Sequence, residues 1–127
     1  MGVYNQNNFR ILFDAVNSIL NQTYSNFEFL IYNDGSNPEV SEELLRLSGL
    51  DKRIRILSSA ENHGLAYARN VCIDNADGEY IARMDDDDIS LPDRFEKQIN
   101  FLENNPQYSW CGTSALLFDN SGIWGRR

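Results

Sequence analysis

The chain has 127 residues, 42% hydrophobic and 24% charged, which is room for one buried core and a composition too apolar for disorder. Its formal charge of −8 leaves no cluster of Lys and Arg to neutralise a phosphate backbone, so unspecific nucleic-acid binding is not expected. No apolar run reaches the ~18 residues of a membrane span and no signal-peptide pattern opens the chain, while Cys72 and Cys111 show neither C-x-x-C spacing nor a His cluster and read as small core residues in a reducing cytoplasm.

Over 8–22, Phe9, Leu12, Phe13, Val16, Ile19 and Leu20 recur at three- and four-residue steps and predict a helix with one buried face. Residues 27–32 are aromatic and branched and predict a buried strand, closed by the turn Asn33-Asp34-Gly35-Ser36. A second helix is predicted over 38–48, with Pro38 in its first turn and Val40, Leu44, Leu45 and Leu47 as its apolar residues. A short strand follows at 54–57, then a loop at 60–64 and an Ala-rich helix at 65–75. The next strand is expected at 79–84, directly before four consecutive aspartates at 85–88, and Pro92 opens a helix with Phe95, Ile99 and Leu102 on one side that Pro106 brings to an end. Two further strands are expected at 108–113 and 115–118, with 119–122 as a turn. Helices alternating with strands across short loops imply an α/β layered fold with a mainly parallel sheet, in one domain spanning 1–127. In such sheets ligands bind beyond the carboxyl ends of the strands, where 33–36 and 85–88 both fall.

Four adjacent carboxylates repel one another unless positive charge sits among them, and a hard divalent cation would supply it; a solvated acidic turn at the start of the Pro92 helix is the other reading. Asp34 could accept a hydrogen bond from a base or ribose, yet Asx and Gly are also ordinary turn residues. Tyr4 fits either a stacking surface or a core edge, and Arg69 either a bidentate phosphate contact or a pair with a surface carboxylate. His63, the single histidine, reads as a loop residue, with no adjacent Ser or Cys to activate. Neither G-x-x-x-x-G-K-[ST] nor G-x-G-x-x-G occurs.

Taken in order, Val3-Tyr4-Asn5, Ser18-Ile19-Leu20-Asn21-Gln22-Thr23-Tyr24, Asn33-Asp34-Gly35-Ser36, Asn62-His63-Gly64-Leu65-Ala66, Ala68-Arg69-Asn70, Gly78-Glu79-Tyr80-Ile81 and the segment 85–94 resemble glycosyltransferase family 2. The resemblance spans almost the whole chain. It implies a Rossmann-like GT-A three-layer sandwich, truncated at both ends, because only residues 1–3 stand for an apolar first strand and the acceptor-binding half that carries the catalytic base is not represented. The native chain is therefore expected to run longer on both sides, and no catalytic residue is named.

Carried over residue by residue, the resemblance implies that Tyr4 lies against the nucleobase, that Asp34 accepts from the base's imino hydrogen and that Arg69 lies near the diphosphate. Asn33 stands where many members have a second aspartate. Asp85, Asp86 and Asp87 match the segment around the family's D-x-D signature, with Asp87 and then Asp85 implied as ligands of Mn²⁺ or Mg²⁺ and Asp85 and Asp86 as ribose, sugar or water contacts; Asp88 is expected to support the loop or cap the following helix. The implied partners are a nucleoside diphosphate sugar, with a uridine diphosphate favoured, and a saccharide or lipid-linked acceptor hydroxyl, transferred to with inversion in cell-surface polysaccharide synthesis. The location implied is cytoplasmic, with association at the membrane's inner face through regions outside this chain. The competing expectations are a non-catalytic module that binds nucleotide sugar, and a flavodoxin-like receiver, which would want a lysine at a late strand end; Lys52 and Lys97 do not fall there.

Overall fold

The computed structural model describes residues 1–119 and 121–126. Their contacts divide them into two compact units, Met1–Glu96 and Lys97–Arg127.

The first unit is built on a parallel sheet of three strands in the order β1 (Gly2–Val3), β2 (Phe29–Asp34) and β3 (Ile54–Ser59). The register sets Gly2 against Tyr32, and runs from Phe29 against Ile54 to Asp34 against Ser59. Every residue of β2 is buried, as expected of a central strand covered on both faces. The helices α1 (Phe9–Leu20) and α2 (Pro38–Ser48) connect the strands, and α3 (Leu65–Asp74) follows β3. Side chains alternate across a strand, and here they sort the layers. Phe29 and Ile31 join one core cluster with Leu12, Val16, Val40 and Leu44 of α1 and α2. On the opposite face Tyr32 meets Tyr67 of α3 edge-on, at 6.1 Å between ring centroids. Helices thus flank the sheet on both sides, and the expected α/β layering is present.

Local chemistry fixes the helix starts. Asn8 accepts from the Ile11 amide and Asn37 from the Val40 amide, each satisfying a first-turn donor that has no partner within its helix. The α1 stripe buries Leu12, Ala15, Val16 and Ile19, while Phe13, expected on that face, is exposed.

Several expected elements differ. The strand predicted over 27–32 begins and ends two residues later, so Asn33 and Asp34 are ladder residues rather than turn residues. No strand forms over 79–84 among the described residues: side chains 79–83 are exposed and no neighbouring ladder receives them. A strand needs a partner as well as a composition, and β1 offers only two paired residues. The helix expected from Pro92 starts at Arg94, after a turn closed by Arg94 N–H to the Leu91 carbonyl.

In the second unit, where α4 (Arg94–Asn104) ends, the strand expected at 108–113 is irregular. Tyr108 stacks on Phe101 at 5.8 Å, and aromatic content alone made no ladder there. The strand expected at 115–118 is β4 (Leu116–Asp119), which pairs antiparallel with β5 (Gly122–Arg126), a strand the sequence patterning did not suggest. Asp119 accepts from the Ser121 amide and hydroxyl in the turn between them; Asn120, part of that predicted turn, lies outside the described residues. Both cysteines are free, and both are half-buried rather than core.

Candidate nucleotide-sugar site

Four segments distant in sequence meet at the carboxyl ends of β1 and β2. There they line a cleft of about 320 Å³ with Tyr4, Asp34, Asn62, Gly64, Ala68 and Asp86 among its walls. The sequence of sheet and helices explains the place: α1 and α2 cover one face and α3 the other, so the chain changes sides after β3 and leaves a crevice beside β1.

Asp34 is the last residue of β2 and is almost wholly buried. Its carboxylate accepts from Asn62 Nδ2 at 2.9 Å, from the His63 amide at 2.9 Å and from the Gly64 amide at 2.7 Å. Gly35 makes this approach possible: its φ is +72°, and a Cβ there would lie 2.5 Å from the Glu61 carbonyl carbon. Asp34 therefore organises the loop that leads into α3 and at the same time faces the cleft. Asn62 is a partner that the sequence left without a role, although its motif with Gly64 was visible. Asn33 points away from Asp34, as strand alternation requires. Its side-chain Nδ2 donates to Ser41 Oγ and its Oδ1 accepts from the Ser36 amide, so it closes the turn into α2.

Tyr4 is 54% exposed and is among the residues that line the cleft. The backbone after it is pinned: Asn5, at φ 49°, donates its amide to Ser36 Oγ and accepts from the Asn37 amide. Asn tolerates this left-handed conformation better than most residues.

The acidic run is held from behind. Gln22, 5% exposed, donates to Ser90 Oγ and to the Leu91 carbonyl and accepts from the Phe95 amide, while Ser18 Oγ accepts from the Ser90 amide. The Thr23 amide donates to the Pro92 carbonyl. These bonds are the physical content of the stretch 18–24, and they anchor the chain just past the aspartates.

The four aspartates are not alike. Asp85 accepts from Arg69 Nη2 at 3.0 Å and from Arg83 Nη2 at 2.7 Å. Partial burial works to raise its pKa, but the two guanidinium groups outweigh this and hold it below the usual carboxylate range. Asp86 faces the cleft, and burial, followed by repulsion from Asp87 and Asp85, pushes its pKa up. Asp87 and Asp88 are exposed. Arg94 donates to the Arg83 carbonyl at 2.7 Å and its burial lowers its pKa against the opposing pull of Asp88. Part of the positive charge that the run requires thus comes from Arg69, Arg83 and Arg94, of which only Arg69 stood out in the sequence.

Among the described residues no three His, Cys, Asp or Glu side chains converge as a preformed metal cage. Mn²⁺ and Mg²⁺ commonly take only one or two protein carboxylates, with phosphates and water in the other positions. Asp87 fits that pattern as an exposed carboxylate next to the cleft residue Asp86.

The family model described as "Glycosyl transferase family 2" matches residues 1–127. The chain belongs to glycosyl transferase family 2. Among its curated relatives, EpsE of Bacillus subtilis (strain 168), which carries a glycosyltransferase name, is 39% identical over 132 residues, covering 100% of this chain and 45% of that protein. An uncharacterized glycosyltransferase of Rickettsia felis is 47% identical over 94% of this chain and 19% of its own length. Another, MJ1057 of Methanocaldococcus jannaschii, is 38% identical over 96% of this chain and 42% of its own length. The chain spans less than half the length of these relatives. No helix among the described residues is long and apolar enough to cross a membrane.

Proposed function

We propose that the chain is the donor-binding part of a glycosyltransferase that moves a sugar from a nucleoside diphosphate sugar, with uridine diphosphate favoured, to an acceptor hydroxyl. The observation that carries this reading is the cleft in which Tyr4, Asp34 and Asp86, far apart in sequence, share one wall. Tyr4 offers a face for a base, Asp34 Oδ1 keeps acceptor capacity beside its single bond from His63, and Arg69 supplies a cation near the same rim. Asp87 and Asp85 would hold Mn²⁺ or Mg²⁺, which when bound offsets the charge of a departing diphosphate.

Inversion at the anomeric carbon, a role in cell-surface polysaccharide synthesis, a saccharide or lipid-linked acceptor and a place in the cytoplasm, where nucleotide sugars reside, complete the proposal. Residues 1–127 would then form one part of a single catalytic domain whose base lies elsewhere in the protein.

The test is calorimetric titration with uridine, thymidine and guanosine diphosphates, with and without Mn²⁺, on the chain and on Asp87→Ala. Binding that needs Mn²⁺ and is lost in the variant supports the reading and names the base. Absence of heat with every nucleotide rejects it.

A further inference from the structure

Asp85 is bracketed by two guanidinium groups, those of Arg69 and Arg83. Arg55 shows the opposite arrangement, one guanidinium between Glu28 and Asp77, and Arg53 meets Asp51 alone. The Arg69–Asp85–Arg83 group therefore carries one more positive charge than it neutralises, in a chain of net charge −8. It also adjoins the cleft, since Ala68 and Asp86, the chain neighbours of Arg69 and Asp85, line it.

A carboxylate and a phosphate offer a guanidinium the same pair of oxygens. We infer that Arg83 joins Arg69 as a seat for the donor's diphosphate, and that the Asp85 carboxylate occupies this seat until a diphosphate displaces it. This rests on the donor-binding reading above and adds to it both a second phosphate-binding arginine and an internal competitor.

The parts are suited to exchange. The Arg83 side chain is 64% exposed, and an exposed pair two residues apart contributes little stability, so breaking it costs little. Its backbone is held meanwhile, because Arg94 Nη2 donates to the Arg83 carbonyl and Nη1 reaches Met84 Sδ. The guanidinium can leave Asp85 while the segment stays in place. Asp85, once released, is free to serve a cation arriving with the diphosphate, so that anion and cation bind more tightly together than apart.

The experiment titrates the chain with inorganic pyrophosphate and with uridine, thymidine and guanosine diphosphates, without divalent cation and then with Mn²⁺. Arg83→Ala and Asp85→Asn are compared with wild type, and Arg55→Ala controls for loss of a positive charge elsewhere. Arg83→Ala is expected to weaken diphosphate binding roughly 10- to 100-fold, the range for one charged hydrogen bond, while Arg55→Ala leaves it unchanged. Asp85→Asn is expected to bind pyrophosphate several-fold more tightly without cation and to lose the enhancement by Mn²⁺. The thermal melt of Arg83→Ala should coincide with that of wild type, since its side chain is largely exposed. Diphosphate binding that Arg83→Ala leaves intact, or cation-free pyrophosphate binding no tighter in Asp85→Asn than in wild type, overturns the inference while the donor site stands. A wild-type chain that binds no diphosphate at all overturns both.

Discussion

Asp86 shows how one side chain carries two opposing demands. It sits on the cleft wall between two other aspartates, and burial first and their repulsion second raise its pKa above the ordinary value of 3.8. A carboxyl whose folded pKa is raised binds more protons folded than unfolded, so stability falls as pH rises from the unfolded value through the folded one. Asp86→Asn should therefore be more stable than wild type at about pH 7 and indistinguishable from it at about pH 3, where both states of the carboxyl are protonated. Urea midpoints at the two pH values decide this; an equal difference at both would mean that packing rather than charge governs the site. Asp34 is a buried carboxylate that three donors surround. From sequence, it fitted both a turn residue and a ligand acceptor. The structure makes it a strand residue that binds a loop and borders a cleft, because register places it on the face opposite Asn33.

At the scale of elements, the β2–α2 turn decides whether the cleft exists. Gly35 sits at φ +72°, and a Cβ would lie 2.5 Å from the Glu61 carbonyl carbon and 2.7 Å from the Asn62 nitrogen, atoms that cannot step aside without moving the loop that feeds Asp34. Gly35→Ala should cost about 2 kcal/mol or more in unfolding free energy and weaken nucleotide binding along with it. Denaturation together with calorimetry reads both effects. A variant that loses neither would mean the loop adapts freely. The helices were the elements most open to reading from sequence, since Pro38 marks a start and the stripes Leu12, Val16, Ile19 and Val40, Leu44, Leu47 mark buried faces. Strands were less so. Residues 79–84 have the composition of a strand without a ladder, and β5 has a ladder without the composition.

Over the whole molecule, the first unit holds the cleft and gathers its core from α1, α2, β2, β3, Met84 and Phe95. Gln22 joins the end of α1 to the chain beyond the aspartates through bonds to Leu91, Ser90 and Phe95. Its removal would leave the buried Phe95 amide and the buried Ser90 hydroxyl without this partner. Gln22→Ala is expected to lower unfolding free energy by about 2–4 kcal/mol, the cost of two unsatisfied groups, with the urea m-value unchanged. A loss within about 0.5 kcal/mol of zero, as for an ordinary surface change, would show that this junction does not hold the acidic run in place.

Period and punctuation by themselves determined the α/β class and the three helices of the first unit, because apolar spacing and turn residues act over a few positions of chain, while the family was legible in the ordered motifs from Val3-Tyr4-Asn5 to the segment 85–94. They also brought Tyr4, Asp34, Arg69 and the aspartates forward as residues of interest. Only the tertiary structure decided which of these meet. Whether Asp34 faces a cleft depends on register, whether Asp85 is bare or bracketed depends on where Arg69 and Arg83 come to rest, and whether 79–84 is a strand depends on an edge to pair with. Those outcomes are set by contacts between residues distant in sequence, which no local pattern encodes.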